Sequence, residues 1–135
     1  MSKKTIWITG GSTGIGKALA IKFASKGWNV AISARRAELL NELSNSYENI
    51  SGFPLDVTDK EKCKEVFNEI KNKYENIDIC FFSTGTWDPK KEKDIDVEQM
   101  EDVFKVNFFG TVNSIKAVEQ YLSLIHISEP TRQIR

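Results

Sequence analysis

Histidine occurs once in the 135 residues, at position 126, and cysteine only twice, at 63 and 80. So small a supply leaves a metal site of the His/Cys kind without ligands. Two thiols, one in a helical pattern and one in an apolar run, read as core residues of a reducing compartment rather than as a disulfide framework. Net charge is lacking as well: 19 basic and 19 acidic residues cancel, which removes the field that would draw nucleic acid or an anionic membrane. No apolar run has the length of a membrane span or of a signal-peptide core, so a cytoplasmic location is expected. What remains, with 40% hydrophobic residues, is enough apolar surface for the core of one small domain.

The stretch Thr9-Gly10-Gly11-Ser12-Thr13-Gly14-Ile15-Gly16 follows a short apolar run at 5–8 and leads into an amphipathic pattern. It reads as strand, tight turn and helix start. Glycines at 10, 14 and 16 let the backbone turn sharply and approach a bound group without Cβ clashes. A helix starting near Gly14 aims its free N–H groups, carrying roughly +0.5 of an elementary charge, at that group. A phosphate or pyrophosphate is the natural occupant. Two other readings compete. One is a purely structural turn. The other is a P-loop, since residues 11–18 spell G-x-x-x-x-G-K-A. However, Ala18 has no hydroxyl for Mg²⁺, and the apolar run 77–82 ends without the aspartate of such sites.

Beyond the turn, Ile15, Leu19 and Phe23, with Ala18 and Ala24 beside them, form the apolar face expected of a first helix; Lys17, Lys22 and Lys26 face outward. Gly27 ends that helix, and residues 28–33 read as a second, parallel strand, completing the βαβ unit of dinucleotide sites. An NAD site places Asp or Glu about 20 residues after the glycines. This chain has Ala34 there, followed by Arg35 and Arg36. A guanidinium pairs with the 2′-phosphate of NADP through charge-assisted hydrogen bonds worth roughly 1.5–3 kcal/mol, which selects NADP as the cofactor, Arg35 leading because it comes first. The bland alternative is a pair of exposed charges at a helix start.

Residues 36–47, with Leu39, Leu40 and Leu43, predict a second helix, and residues 50–55 a third strand whose Pro54 suits an edge. Cys63, Val66, Phe67, Ile70 and Tyr74 make one stripe of a helix over 59–74, and residues 77–82 are apolar on both faces, as a central parallel strand is, and become an apolar exposed edge, prone to association, where no further strand pairs with them. A polar loop at 87–93 precedes a fourth helix. Its inward stripe reads as Met100, Val103, Phe104, Asn107, Phe108, Thr111, Ile115 and Val118. The fold expected is α/β: a Rossmann-like, doubly wound parallel sheet of order 3-2-1-4, truncated. Helices one and two cover one face and helices three and four the other, with the nucleotide at the switch point between strands one and four.

The string TGGSTGIG resembles the T-G-x-x-x-G-x-G cofactor loop of the short-chain dehydrogenase/reductase family, and other landmarks follow in order. The resemblance implies that Gly10, Ser12, Thr13, Gly14, Ile15 and Gly16 hold the cofactor. Asp56-Val57-Thr58 is similar to the family's D-V loop, which implies that Asp56 accepts from the adenine amine while Val57 packs on the ring; from the residues alone, Asp56 or Thr58 can equally start the next helix. Phe82-Ser83-Thr84-Gly85 stands where the family carries N-N-A-G and keeps only the glycine, so Ser83 and Gly85 are placed beside the nicotinamide ribose. Residues 106–110, V-N-F-F-G, resemble V-N-x-x-G, which implies that Asn107 is the catalytic asparagine supporting a water in the proton relay. A satisfied structural amide is the alternative.

The family's function is hydride transfer between NADP and a carbonyl or alcohol carbon of a small molecule, in a protein that is often a homo-oligomer through helix four. Its catalytic serine and Tyr-x-x-x-Lys have no counterpart: Tyr121 is followed four residues later by Ile125, and Tyr47 and Tyr74 lack lysine at that spacing. Residues 122–132 resemble translated sequencing-adapter read-through. The expected division is therefore 1–121, an incomplete NAD(P)-binding domain, and 122–135, a non-native tail, with His126 excluded as a ligand or base; residues 124–127 can extend helix four or imitate the missing strand, and the lack of turn residues before Pro130 favours the helix. Cofactor binding without catalysis is expected, and a non-catalytic NADP-binding module is the competing reading.

Overall fold

The computed structural model of the chain describes residues 3–86 and 96–127. Strand β1 (Thr5–Thr9) is the centre of the molecule, with each of its five residues at most 1% exposed. It pairs in parallel with β2 (Asn29–Ser33) on one side and with β4 (Ile79–Phe82) on the other, while β3 (Ile50–Gly52) pairs with β2. The order β3-β2-β1-β4 is the one expected.

Side chains alternate across the sheet, and that alternation divides the core in two. Ile6, Ile8, Val30 and Ile32 meet Ala20, Ala24, Leu40 and Leu43 of α1 (Gly14–Ser25) and α2 (Ala37–Ser46). Trp7 and Ala31 meet Cys63, Val66, Phe67 and Ile70 of α3 (Lys60–Lys73) on the opposite face, with Val118. Trp7 lies between Phe67 and Phe82, with ring centroids 6.0 and 5.9 Å away. Its indole Nε1 donates to Ser33 Oγ at 2.9 Å, so the polar tip is satisfied where the ring is wholly buried.

The last helical stretch is α4 (Val97–Phe104), a π-helical turn (Lys105–Phe109) and α5 (Gly110–Ile127), so the backbone over 124–127 extends the helix as expected. The expected loop at 87–93 lies outside the described residues, as do positions 128–135.

Four expectations need correction. On α1 the buried positions are Gly16, Ala20 and Ala24; Ala18 is exposed, and Ile15 is 75% exposed. Small residues face the sheet there because the helix packs close to it. On the last helix Gly110, Ser114 and Val118 are buried, whereas Met100, Phe104, Asn107, Phe108 and Ile115 are exposed. Strand β3 is shorter than 50–55, although Phe53 and Leu55 continue the backbone bonding to Ile32 and Ala34, and Pro54 sits between them at the free edge. Strand β4 starts at Ile79 rather than at residue 77; among the described residues it is the apolar edge expected of a truncated sheet, with Ile79 39% exposed.

Candidate cofactor site

The turn after β1 is bent by two amides sharing one acceptor: Gly10 and Gly11 both donate to the Ser33 carbonyl, at 2.8 and 3.2 Å. Gly10 takes φ 68°, and a Cβ there would fall 2.9 Å from the Ser83 carbonyl carbon and oxygen. At Gly16 a Cβ would collide with the Gly10 carbonyl. The turn is thus packed backbone to backbone against the end of β4, where the Ser83 amide and hydroxyl both donate to the Thr9 carbonyl, at 3.1 and 2.9 Å. Thr13, the N-cap of α1, makes no side-chain cap hydrogen bond. The leading N–H groups of that helix therefore depend on something other than their own cap.

These elements surround one cleft of about 680 Å³. It is lined by Gly10, Ser12, Thr13, Gly14, Ile15 and Gly16 after β1, by Arg35, Arg36, Asp56 and Val57 after β2 and β3 on one side, and by Ser83 and Gly85 after β4 on the other. Every residue named above for cofactor contact lines this cleft. Ile15, 75% exposed, is among them. Ala34, Leu55, Thr84, Thr86 and Val106 line it as well without having been singled out for contact. Nothing in the sequence marks Thr86, whose backbone alone bonds to Asn107, or Val106, which precedes Asn107 on the helix.

Asn107 does not line the cleft and is exposed, not inward. Its amide forms a two-bond bridge: Oδ1 accepts from the Thr86 N–H at 2.7 Å, and Nδ2 donates to the Thr86 carbonyl at 3.1 Å. Helix and cleft wall are joined there. Arg36 is the N-cap of α2, and both guanidinium groups are exposed. The Asp56 carboxyl is held below its ordinary value: partial burial pushes it up, but hydrogen bonds from the Thr58 hydroxyl and amide, with the charges of Arg35 and Lys105, outweigh that. Helix α3 is started by Asp59, whose Oδ1 accepts from the Lys62 amide at 3.1 Å, so Asp56 is not its cap. Burial pushes the Cys63 thiol up to about 11 and the Cys80 thiol up to about 12; both are free.

A glycine turn and helix N-terminus at the rim between β1 and β4, at the switch point of a parallel sheet, define a doubly wound α/β domain shaped for a nucleotide. The chain belongs to the short chain dehydrogenase family, whose model matches residues 4–128. It is 31% identical over 122 residues to an oxidoreductase of Listeria monocytogenes, covering 87% of this chain and 49% of that protein. With the glucose 1-dehydrogenase of Gluconobacter oxydans it shares 28% over 123 residues, covering 87% and 46%. Among solved structures, ElxO with NADP bound aligns at TM-score 0.81 and 29% identity, over 93% of this chain and 52% of that one. The chain spans about half the length of the curated relatives it matches. Family membership leaves the P-loop reading of residues 11–18 without support.

Proposed function

We propose that this chain is the cofactor-binding part of an NADP-dependent oxidoreductase that moves hydride between the nicotinamide and a carbonyl or alcohol carbon of a small molecule. The observation that carries the reading is the convergence of the glycine turn, the uncapped start of α1 and two arginines on one cleft. The backbone amides around Gly10, Ser12, Thr13, Gly14, Ile15 and Gly16 hold the diphosphate. Arg35, with Arg36 beside it, takes the 2′-phosphate, with no carboxylate at Ala34 to repel it. Asp56 and Val57 receive the adenine, and Ser83 and Gly85 flank the nicotinamide ribose. The nicotinamide, when bound, supplies or accepts the hydride.

Asn107 is proposed to support the water of the proton relay, as the family resemblance implies, and its bridge to Thr86 fixes the helix turn from which it would do so. The tyrosine, lysine and serine that would complete the relay have no counterpart in these 135 residues, so the chain as it stands is proposed to bind cofactor without turning it over. Residues 122–135 are proposed to be foreign to the natural protein, which we place in the cytoplasm as a homo-oligomer.

Fluorescence titration with NADPH and NADH tests this reading. NADPH should bind about ten- to a hundredfold more tightly, the equivalent of a guanidinium–phosphate bond. Arg35→Asp should erase the preference. Equal affinity in the parent chain removes the case for Arg35, and Mg²⁺-dependent ATP binding with none for NADPH removes the cofactor itself.

A further inference from the structure

The turn carrying Asp56 and Val57 is shaped from within but placed from outside. Asp56 Oδ1 accepts from the Thr58 amide and hydroxyl, at 2.9 and 2.7 Å, and the Asp56 carbonyl accepts from the Asp59 amide at 3.0 Å. All three bonds stay inside the turn and say nothing about where it sits relative to the cleft. Its entry is tied to the sheet side by the Leu55 amide, which donates to the Ala34 carbonyl at 2.9 Å. The Val57 carbonyl is tied to α5, where Asn113 Nδ2 donates to it at 2.9 Å. Cys63 Sγ, a weak donor, adds a longer contact to the same oxygen at 3.6 Å. One turn earlier on the helix, Gly110 faces the Val57 side chain so closely that a Cβ there would lie 2.5 Å from Val57 Cγ2. The helix therefore seats the side chain of Val57 at one point and holds its carbonyl at the next.

We propose that Asn113, which does not line the cleft, is a positioning residue for the adenine end of the cofactor, acting through the Val57 carbonyl. This rests on the cofactor reading of the cleft given above. Val57 is only 4% exposed and lines the cleft, so its height decides how an adenine ring stacks there. Without the amide, α5 still packs on the Val57 side chain at Gly110 but no longer holds its carbonyl, so the turn is free to tilt about that contact. The diphosphate and nicotinamide ends depend on β1, α1 and the end of β4 and keep their geometry.

The test is calorimetric titration of the full chain and its Asn113→Ala variant with two half-cofactors, 2′,5′-ADP and reduced nicotinamide mononucleotide. The variant should bind 2′,5′-ADP about three- to tenfold more weakly, the worth of one hydrogen bond, and the mononucleotide unchanged. Equal weakening of both ligands assigns Asn113 a general structural role and overturns the proposal, as does unchanged binding of 2′,5′-ADP. Should the parent bind neither ligand, the cofactor reading fails first and this inference with it. If the variant does not fold, the Asn113 side-chain amide resonances of the parent decide: they should shift with 2′,5′-ADP and not with the mononucleotide, and resonances that ignore 2′,5′-ADP overturn the proposal.

Discussion

Gly10 and Gly14 look interchangeable in the sequence and are not interchangeable in the structure. Both have positive φ, 68° and 56°, which costs an alanine roughly 1–2 kcal/mol at either place. At Gly14 nothing lies within 4 Å of an added Cβ, whereas at Gly10 the Ser83 carbonyl carbon and oxygen are 2.9 Å away, and overpacking adds roughly 1–3 kcal/mol. Denaturant unfolding should therefore show Gly10→Ala losing more stability than Gly14→Ala by about that difference, and only Gly10→Ala displacing the end of β4. Equal losses would mean that the turn does not press on that strand. The residue types of the turn were legible because the chemistry of phosphate approach demands them. The Asn107–Thr86 bridge was not legible, since its partner contributes only backbone and any residue type but proline at 86 would serve.

At the scale of the element, the last helix carries apolar residues on two faces, and sequence spacing favours the larger ones. Phe104, Phe108, Val112 and Ile115 repeat at helical intervals and are exposed, at 63, 54, 43 and 47%. The face turned to the turn at Val57 and to α3 begins with small residues, Gly110 and Ser114, because Val57 lies too close to Gly110 for a side chain there, and ends with Val118 and with Tyr121 on Phe67. Apolar size is a poor guide to burial wherever small residues mediate the contact, as on α1 too. Where large residues do the packing, as in the Val66, Phe67 and Ile70 stripe of α3, the spacing alone placed the helix correctly. Val118→Ala should cost roughly 1–3 kcal/mol of stability, while Phe108→Gln should stay within about 0.5 kcal/mol. A thermal or urea unfolding series checks both, and the reverse ranking would put Phe108 rather than Val118 in the core.

At the scale of the whole molecule, the alkaline limit of stability should be set partly by the thiols. Cys63 lies on the α3 face of the sheet with Trp7 and Val66, and Cys80 packs against the same cluster. Burial raises these thiols from an ordinary 9.0 to about 11 and about 12. Below pH 9 both are protonated in the folded and unfolded chain and add no pH dependence. Above pH 9 the unfolded chain loses its thiol protons first, which favours unfolding by roughly 1.4 kcal/mol per pH unit for each thiol until the folded value is reached. Urea midpoints should hold up to about pH 9 and fall from there to pH 11, and Cys63→Ala should show a shallower fall from a lower starting midpoint. An unchanged slope in that variant would mean that the Cys63 thiol ionises in place, and hence that water reaches the face of the sheet that β1 and α3 are held to close.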